Sequence, residues 1–378
     1  MKRAAVIFFA VIMISMASCG GGAPRTEAEP DFPMRGEVPV SEKTVRFLGR
    51  YYESEGVYYT NLSCSGFEVR FEGTELKAEF ISEPTDADHN TYIHVFVDDD
   101  YSALEKTEAD GTQDGLANDS RILLEAGRST VTLASGLEEG VHKITVQKAN
   151  QSSLNKLGTV KLFPGDGAVL EPPTAKEKSI LVIGDSISCG SNNLGEDLAV
   201  SYSASEDGLF TMAAYAARHF GADLEVFAKN GLYTSLINTA YDENMLRYAD
   251  PFNEILAPWD TERPGRQRDL VLINLGINDT NVINSSGGAY SYEQFREDYI
   301  RLIQEVRALY PDSYILCTDV SASAAQEQKA VEEYVAQTGD ENISFWLRGT
   351  VYSRHPLIST HRSEGERLIR ELENLGVL

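Results

Sequence analysis

The segment Gly184-Asp185-Ser186-Ile187-Ser188 follows directly on an apolar run, Ile180-Leu181-Val182-Ile183. A serine at such a strand-to-helix turn is exposed, and the backbone N–H groups beside it are free to face an oxyanion. A second segment, Gly276-Ile277-Asn278-Asp279, also closes an apolar run, and an Asn there can aim its amide N–H at developing negative charge. A third, Asn230-Gly231, offers the Gly231 N–H to the same oxyanion. The fourth is Arg354-His355-Pro356. A serine hydroxyl is a poor nucleophile until a neighbouring base takes its proton, and a histidine titrating near neutrality suits that task. Taken singly each segment has a plain reading: Asp and Ser cap helices, and Asn closes turns. His361, six residues after His355, reads as structural. Asp86, Asp88, His89 and His94 lack metal-ligand spacing, and Asp98-Asp99-Asp100 reads as a turn, so neither metal nor cofactor is expected.

The elements that must position these residues are legible as apolar runs at 180–183, 224–227, 270–275, 314–317 and 343–346, with helical patterns between them. The clearest helix opens at Ser291 with a capping box to Gln294, carries Phe295, Tyr299, Leu302, Ile303 and Val306 on one face, and stops before Pro311. Strands alternating with helices imply a parallel sheet covered on both faces, with its chemistry beyond the carboxyl ends of the strands. All four segments fall there. From residue 39 to 170 the pattern changes to short alternating runs such as Phe67-Glu68-Val69-Arg70-Phe71 and Leu76-Lys77-Ala78-Glu79-Phe80 between Gly, Asp, Asn and Ser, without a convincing long helix. That predicts a β-sandwich or jelly roll. Around Glu171-Pro172-Pro173-Thr174 it gives way to an α/β domain over 171–378.

Residues 1–18, with Lys2, Arg3 and an apolar run to about Met16, read as a secretory signal peptide too short to span a membrane. Met16-Ala17-Ser18-Cys19 resembles a bacterial lipobox, which implies cleavage before Cys19 and lipidation of its thiol; an incidental cysteine after a signal peptide is the plainer alternative. Residues 19–38 then form a lipidated, Pro-bearing tether. The expectation is an exported bacterial lipoprotein of the cell envelope, periplasmic or surface-facing, touching membrane only through its N-terminal lipid. Cys64, Cys189 and Cys317 are too few for a disulfide framework and are expected as buried or half-buried thiols. A net charge of −25 in 378 residues argues against nucleic acid and anionic lipid as partners, since both require a basic footprint.

Gly-Asp-Ser-x-Ser at 184–188, the Gly at 231, Gly-x-Asn-Asp at 276–279 and His-Pro at 355–356, in this order, resemble the SGNH or GDSL-type esterase superfamily. The resemblance implies Ser186 as nucleophile, His355 as base, and the Ser186 N–H, Gly231 N–H and Asn278 side chain as oxyanion donors. It also implies a three-layer, flavodoxin-like domain with a five-stranded parallel sheet. A β-domain carrying Gly49-Arg50, Phe71-Glu72-Gly73-Thr74 and Gly140-Val141-His142 ahead of it is similar to carbohydrate esterase family 2. Removal of O-acetyl groups from a xylan- or glucomannan-like polysaccharide or oligosaccharide through an acetyl-serine is the implied activity, with no cofactor. Esters of peptidoglycan, host glycans or lipids, acyl transfer, and a non-catalytic glycan-binding lipoprotein are the rivals. Asp185, Tyr233 and Trp259 are the substrate-binding candidates, with Tyr202 weaker; Trp259 reads equally as core. One departure stands out: Tyr352 occupies the place, three residues before His355, where most of the superfamily has Asp. A Ser–His dyad is therefore expected, oriented by a backbone carbonyl or by a carboxylate from elsewhere.

Overall fold

The computed structural model describes residues 31–110, 121–151, 154–195, 202–234, 268–349 and 354–378. Alternating side chains in the first domain build two antiparallel sheets, because period-two patterning places one face of each strand on a core. One sheet runs in the order Ala168–Val169, Gly66–Glu72, Val141–Lys148, Thr91–Val97, Arg121–Leu124, with Arg46–Leu48 also on Gly66–Glu72. The other runs Tyr52–Ser54, Val57–Tyr59, Asn155–Phe163, Leu76–Pro84, Gly127–Ala134, with Val38–Pro39 on Asn155–Phe163. Phe67, Val69, Phe71, Phe80, Ile93 and Ile144 fill the space between them. One helix, Ser102–Asp110, interrupts the strands; its weak apolar stripe explains why the sequence did not announce it.

The second domain is a five-stranded parallel sheet: β1 (Ser179–Gly184), β2 (Asp223–Ala228), β3 (Leu270–Asn274), β4 (Tyr314–Asp319) and β5 (Ile343–Leu347), in spatial order β2-β1-β3-β4-β5. Every residue of β1 and β3 is buried, as a sheet covered on both faces requires. Alternate residues divide between two cores. Leu181, Ile183, Val271 and Ile273 face one core with the helix Tyr292–Leu309, which has the capping box at Ser291. Ile180, Val182, Leu270 and Leu272 face the other, with the helices Met212–Phe220 and Ile358–Leu375. Phe96 and Leu104 of the first domain join that second core, so burial is continuous across the domain boundary. Charge reinforces it: Arg46 bridges Glu68 and Asp223, and Glu225 receives Arg50 and Arg268. Cys64, Cys189 and Cys317 are buried free thiols.

Candidate active site

The strand register brings the four segments together. Gly184 at the end of β1 pairs with Ala228 at the end of β2 and with Asn274 at the end of β3. Ser186, Gly231 and Asn278 follow within a few residues, so their turns emerge side by side. Gly184 is required in its place: a Cβ there would lie 2.1 Å from Ser188 Oγ. Asp185 is extended at φ −113, and its Oδ1 accepts the Ile187 N–H at 2.9 Å, capping the single helical turn Ser186–Cys189. Its carboxyl is 1% exposed, and burial pushes it up to about 7. Asp185 therefore serves beneath the serine as a cap rather than as part of an exposed cleft wall.

His355 Nε2 lies 2.9 Å from Ser186 Oγ, the contact that proton transfer between them needs. On the other ring nitrogen, Nδ1 faces the side-chain amide of Asn192 at 3.5 Å, and Asn192 Oδ1 accepts from Ser205 Oγ at 2.9 Å. Asn192 holds φ +55, a left-handed conformation that Asn tolerates better than most residues. Nothing in the sequence singled it out, since Asn in a loop reads as a turn residue.

Gly231, at φ +79, is the third residue of a turn in which the Leu232 N–H returns to Lys229 O at 3.1 Å. Among the described residues, neither the Ser186 N–H nor the Gly231 N–H finds an acceptor. Asn278 stands at the start of the helix Ile277–Ser285; its Nδ2 donates to Leu232 O at 2.8 Å and faces Asp185 Oδ2 at 3.4 Å. One amide hydrogen thus ties this helix to the Gly231 turn, and the other has only a long contact. Asp279 holds the chain just after that turn, accepting the Thr234 N–H on both oxygens at 3.0 Å.

Beneath the site lie groups that sequence reasoning did not find. Arg348, 3% exposed, donates to Asn274 Oδ1 at 2.7 Å, while Asn274 Nδ2 donates to Ser188 Oγ at 2.9 Å. Ser323 Oγ contacts Gly276 O, Asp319 and Glu327 behind the Asn278 helix. His361 is buried, accepts the Met212 N–H at 3.4 Å, and is driven down to about 3 by burial and by the nearby Arg348 and His355. It is a neutral scaffold residue. Tyr233 is half-buried next to the Gly231 turn. Trp259, Tyr352 and Cys19 lie outside the described residues, as does the side chain of Tyr202.

Residues 182–343 match the GDSL-like lipase/acylhydrolase family. The cellulase/esterase CelE of Acetivibrio thermocellus is 29% identical over 270 residues, 66% of this chain and 32% of that protein. An acetylxylan esterase/glucomannan deacetylase of Cellvibrio japonicus is 25% identical over 246 residues, 62% of this chain and 65% of that one. The chain thus spans less than two thirds of these relatives' length. A family two carbohydrate esterase from Clostridium thermocellum, solved with cellohexaose, superposes with a TM-score of 0.72 at 26% identity, covering 88% of this chain and all of that one. In sequence and in its two-domain fold, the chain resembles the SGNH or GDSL-type esterases, and most of all carbohydrate esterase family 2.

Proposed function

We propose that this protein is a serine esterase that removes O-acetyl groups from a polysaccharide or oligosaccharide. The observation that carries the reading is the 2.9 Å contact of His355 Nε2 with Ser186 Oγ beyond the carboxyl end of β1. The names of its relatives, an acetylxylan esterase/glucomannan deacetylase and a carbohydrate esterase solved with cellohexaose, support the glycan substrate. Ser186 Oγ attacks the acetyl carbonyl while its proton passes to His355 Nε2. The tetrahedral oxyanion accepts hydrogen bonds from the Ser186 and Gly231 N–H groups and from Asn278. Collapse expels the sugar oxygen, which takes the proton from His355 and leaves acetyl-Ser186. Water, deprotonated by His355, attacks that ester; acetate leaves and the proton returns to Ser186 Oγ. The acetic acid released ionises at neutral pH, so each turnover delivers one proton to the medium.

Export as a lipoprotein, anchored through Cys19 to the cell envelope, belongs to the same proposal and rests on the residues before the cysteine. The test is acetate release from acetylated xylan and glucomannan, beside 4-nitrophenyl acetate and butyrate, by the chain from residue 31. Acetate-selective turnover that falls by at least about 10³-fold in Ser186→Ala supports the reading. Full turnover in that folded variant refutes it, and butyrate preference redirects it to lipid esters.

A further inference from the structure

The central strand of one β-domain sheet, Val141–Lys148, runs into a segment that enters the hydrolase domain rather than the solvent. Lys148, Ala149, Asn150 and Gln151 are all 0% exposed. Lys148 Nζ donates to the carbonyls of Asn150 at 2.7 Å and Gln151 at 3.1 Å, which folds the segment on itself. Asn150 Nδ2 reaches Ser203 O at 2.8 Å and Glu206 O at 3.2 Å, and the Gly208 N–H donates to Ala149 O at 2.8 Å. The tip of this insertion is Gln151. Its backbone N–H donates to Glu206 Oε1 and its Nε2 to Glu206 Oε2, each at 2.6 Å, while Ser191 Oγ donates to Oε2 at 2.8 Å. A side-chain amide whose nitrogen donates to a carboxylate has its oxygen fixed on the opposite side. That oxygen, Gln151 Oε1, accepts the Asn230 N–H at 2.7 Å.

We infer that Gln151, supplied by the β-domain, is a positioning residue for the oxyanion site: clamped on Glu206, it holds the Asn230 N–H and so fixes the turn that presents the Gly231 N–H. The inference rests on the proposed esterase reading only for the use made of that N–H. A turn with Gly at its third position and φ near +80° is of type II, and rotation of its central peptide converts it to type I. That peptide carries the Gly231 N–H. Pinning the peptide before it, through a buried and fully committed glutamine, opposes the rotation. The same clamp holds Ser191, next to Asn192, so one β-domain side chain steadies the turn beside the nucleophile and the loop facing His355. On this account the β-domain is part of the catalytic architecture and not only a companion module.

Three measurements test it on the chain from residue 31: steady-state kinetics with 4-nitrophenyl acetate, amide hydrogen exchange over residues 229–232, and labelling of Ser186 by a fluorophosphonate. In Gln151→Ala, kcat is expected to fall by about 10–10²-fold with KM within about threefold, as for a displaced catalytic group. Exchange over 229–232 should rise and fluorophosphonate labelling should slow in parallel. Gln151→Glu guards against a folding defect in the alanine variant. It keeps an acceptor for the Asn230 N–H but needs a proton to bridge Glu206, so its activity relative to wild type should climb as pH falls, whereas that of Gln151→Ala should stay level. Unchanged kcat and unchanged exchange in a folded Gln151→Ala would overturn the inference, as would a loss confined to KM. If the wild type labels at Ser186 but releases no acetate, the substrate reading fails while exchange and labelling still decide the role of Gln151.

Discussion

The amide of Asn192 lies 3.5 Å from Nδ1 of His355, on the side of the ring away from Ser186. For His355 to act as a base its Nε2 must offer a lone pair, so the ring proton must sit on Nδ1 and needs an acceptor. Turning the Asn192 amide over supplies one: Oδ1 then accepts from Nδ1–H, and Nδ2 donates to Ser205 Oγ, which lies 2.9 Å from its present partner. Asn192→Ala is expected to lower kcat by roughly tenfold with little change in KM, the modest loss typical of an orienting group where the oxyanion donors remain. Asn192→Asp, an unambiguous acceptor, is expected to keep or exceed wild-type kcat. Equal activity of the alanine variant and wild type would remove Asn192 from the mechanism.

Asn278 has two tasks, and a substitution separates them. Its Nδ2 bond to Leu232 O at 2.8 Å ties the turn in place, and its second hydrogen is the one an oxyanion would draw from Asp185. Asn278→Ala is expected to cost about 10²–10³-fold in kcat, the loss seen when one oxyanion donor is removed. Because Asn278 is only part-buried, its melting temperature should move little. A variant that loses stability and activity together would identify the turn tie as the dominant role.

How much of this was legible in sequence follows from where the information lies. β1 and β3 announce themselves because both faces are covered and the runs are wholly apolar. The serine and the asparagine stand next to such runs, so their placement on the sheet could be read along the chain; the histidine follows at more distance after β5, which is only partly buried. Asn192 and Gln151 could not. Gln151 works through Glu206 and Asn230, 55 and 79 residues away, and nothing local distinguishes it from any polar residue after a strand. Glu327 left a trace that went unread: it shares a helical stripe with Ala324, Ala330, Val331 and Tyr334, and an acid on an apolar face signals a buried partner.

That trace leads to Gly276, at φ +133, where an added Cβ would lie 1.9 Å from Glu327 Oε1 and 2.9 Å from Asp319 Oδ2. Both the backbone conformation and the space demand glycine. Gly276→Ala is expected to cost about 2–5 kcal/mol by strain and overpacking, and to lower kcat by displacing the helix that carries Asn278. Burial and the charge of Asp319 push the Glu327 carboxyl well above its usual range, which favours its neutral form. Glu327→Gln, a neutral isostere, should therefore stay within about 1 kcal/mol of wild type, whereas Glu327→Ala should lose about 2 kcal/mol or more through its cavity and stranded polar partners. Denaturant midpoints decide it, and a severe loss in the glutamine variant would mean that the charged carboxylate is the native form.

Glu206 gives the fold a pH dependence whose sign is fixed. Burial pushes its carboxyl from 4.5 up to about 7, against the hydrogen bonds from Gln151 and Ser191 and the charge of Lys148. Between those two values the folded chain keeps a proton that the unfolded chain has released. Stability therefore falls as pH rises through this window, is undiminished below it, and levels off above it, by at most about 3 kcal/mol for this group. Glu206→Gln carries no such proton, so its stability relative to wild type should rise between pH about 4 and about 8, whatever constant penalty its extra amide hydrogens impose. Urea midpoints of both proteins across that range provide the measurement. A constant difference would show that Glu206 is ionised throughout in the folded protein, its three donors and Lys148 outweighing the loss of water.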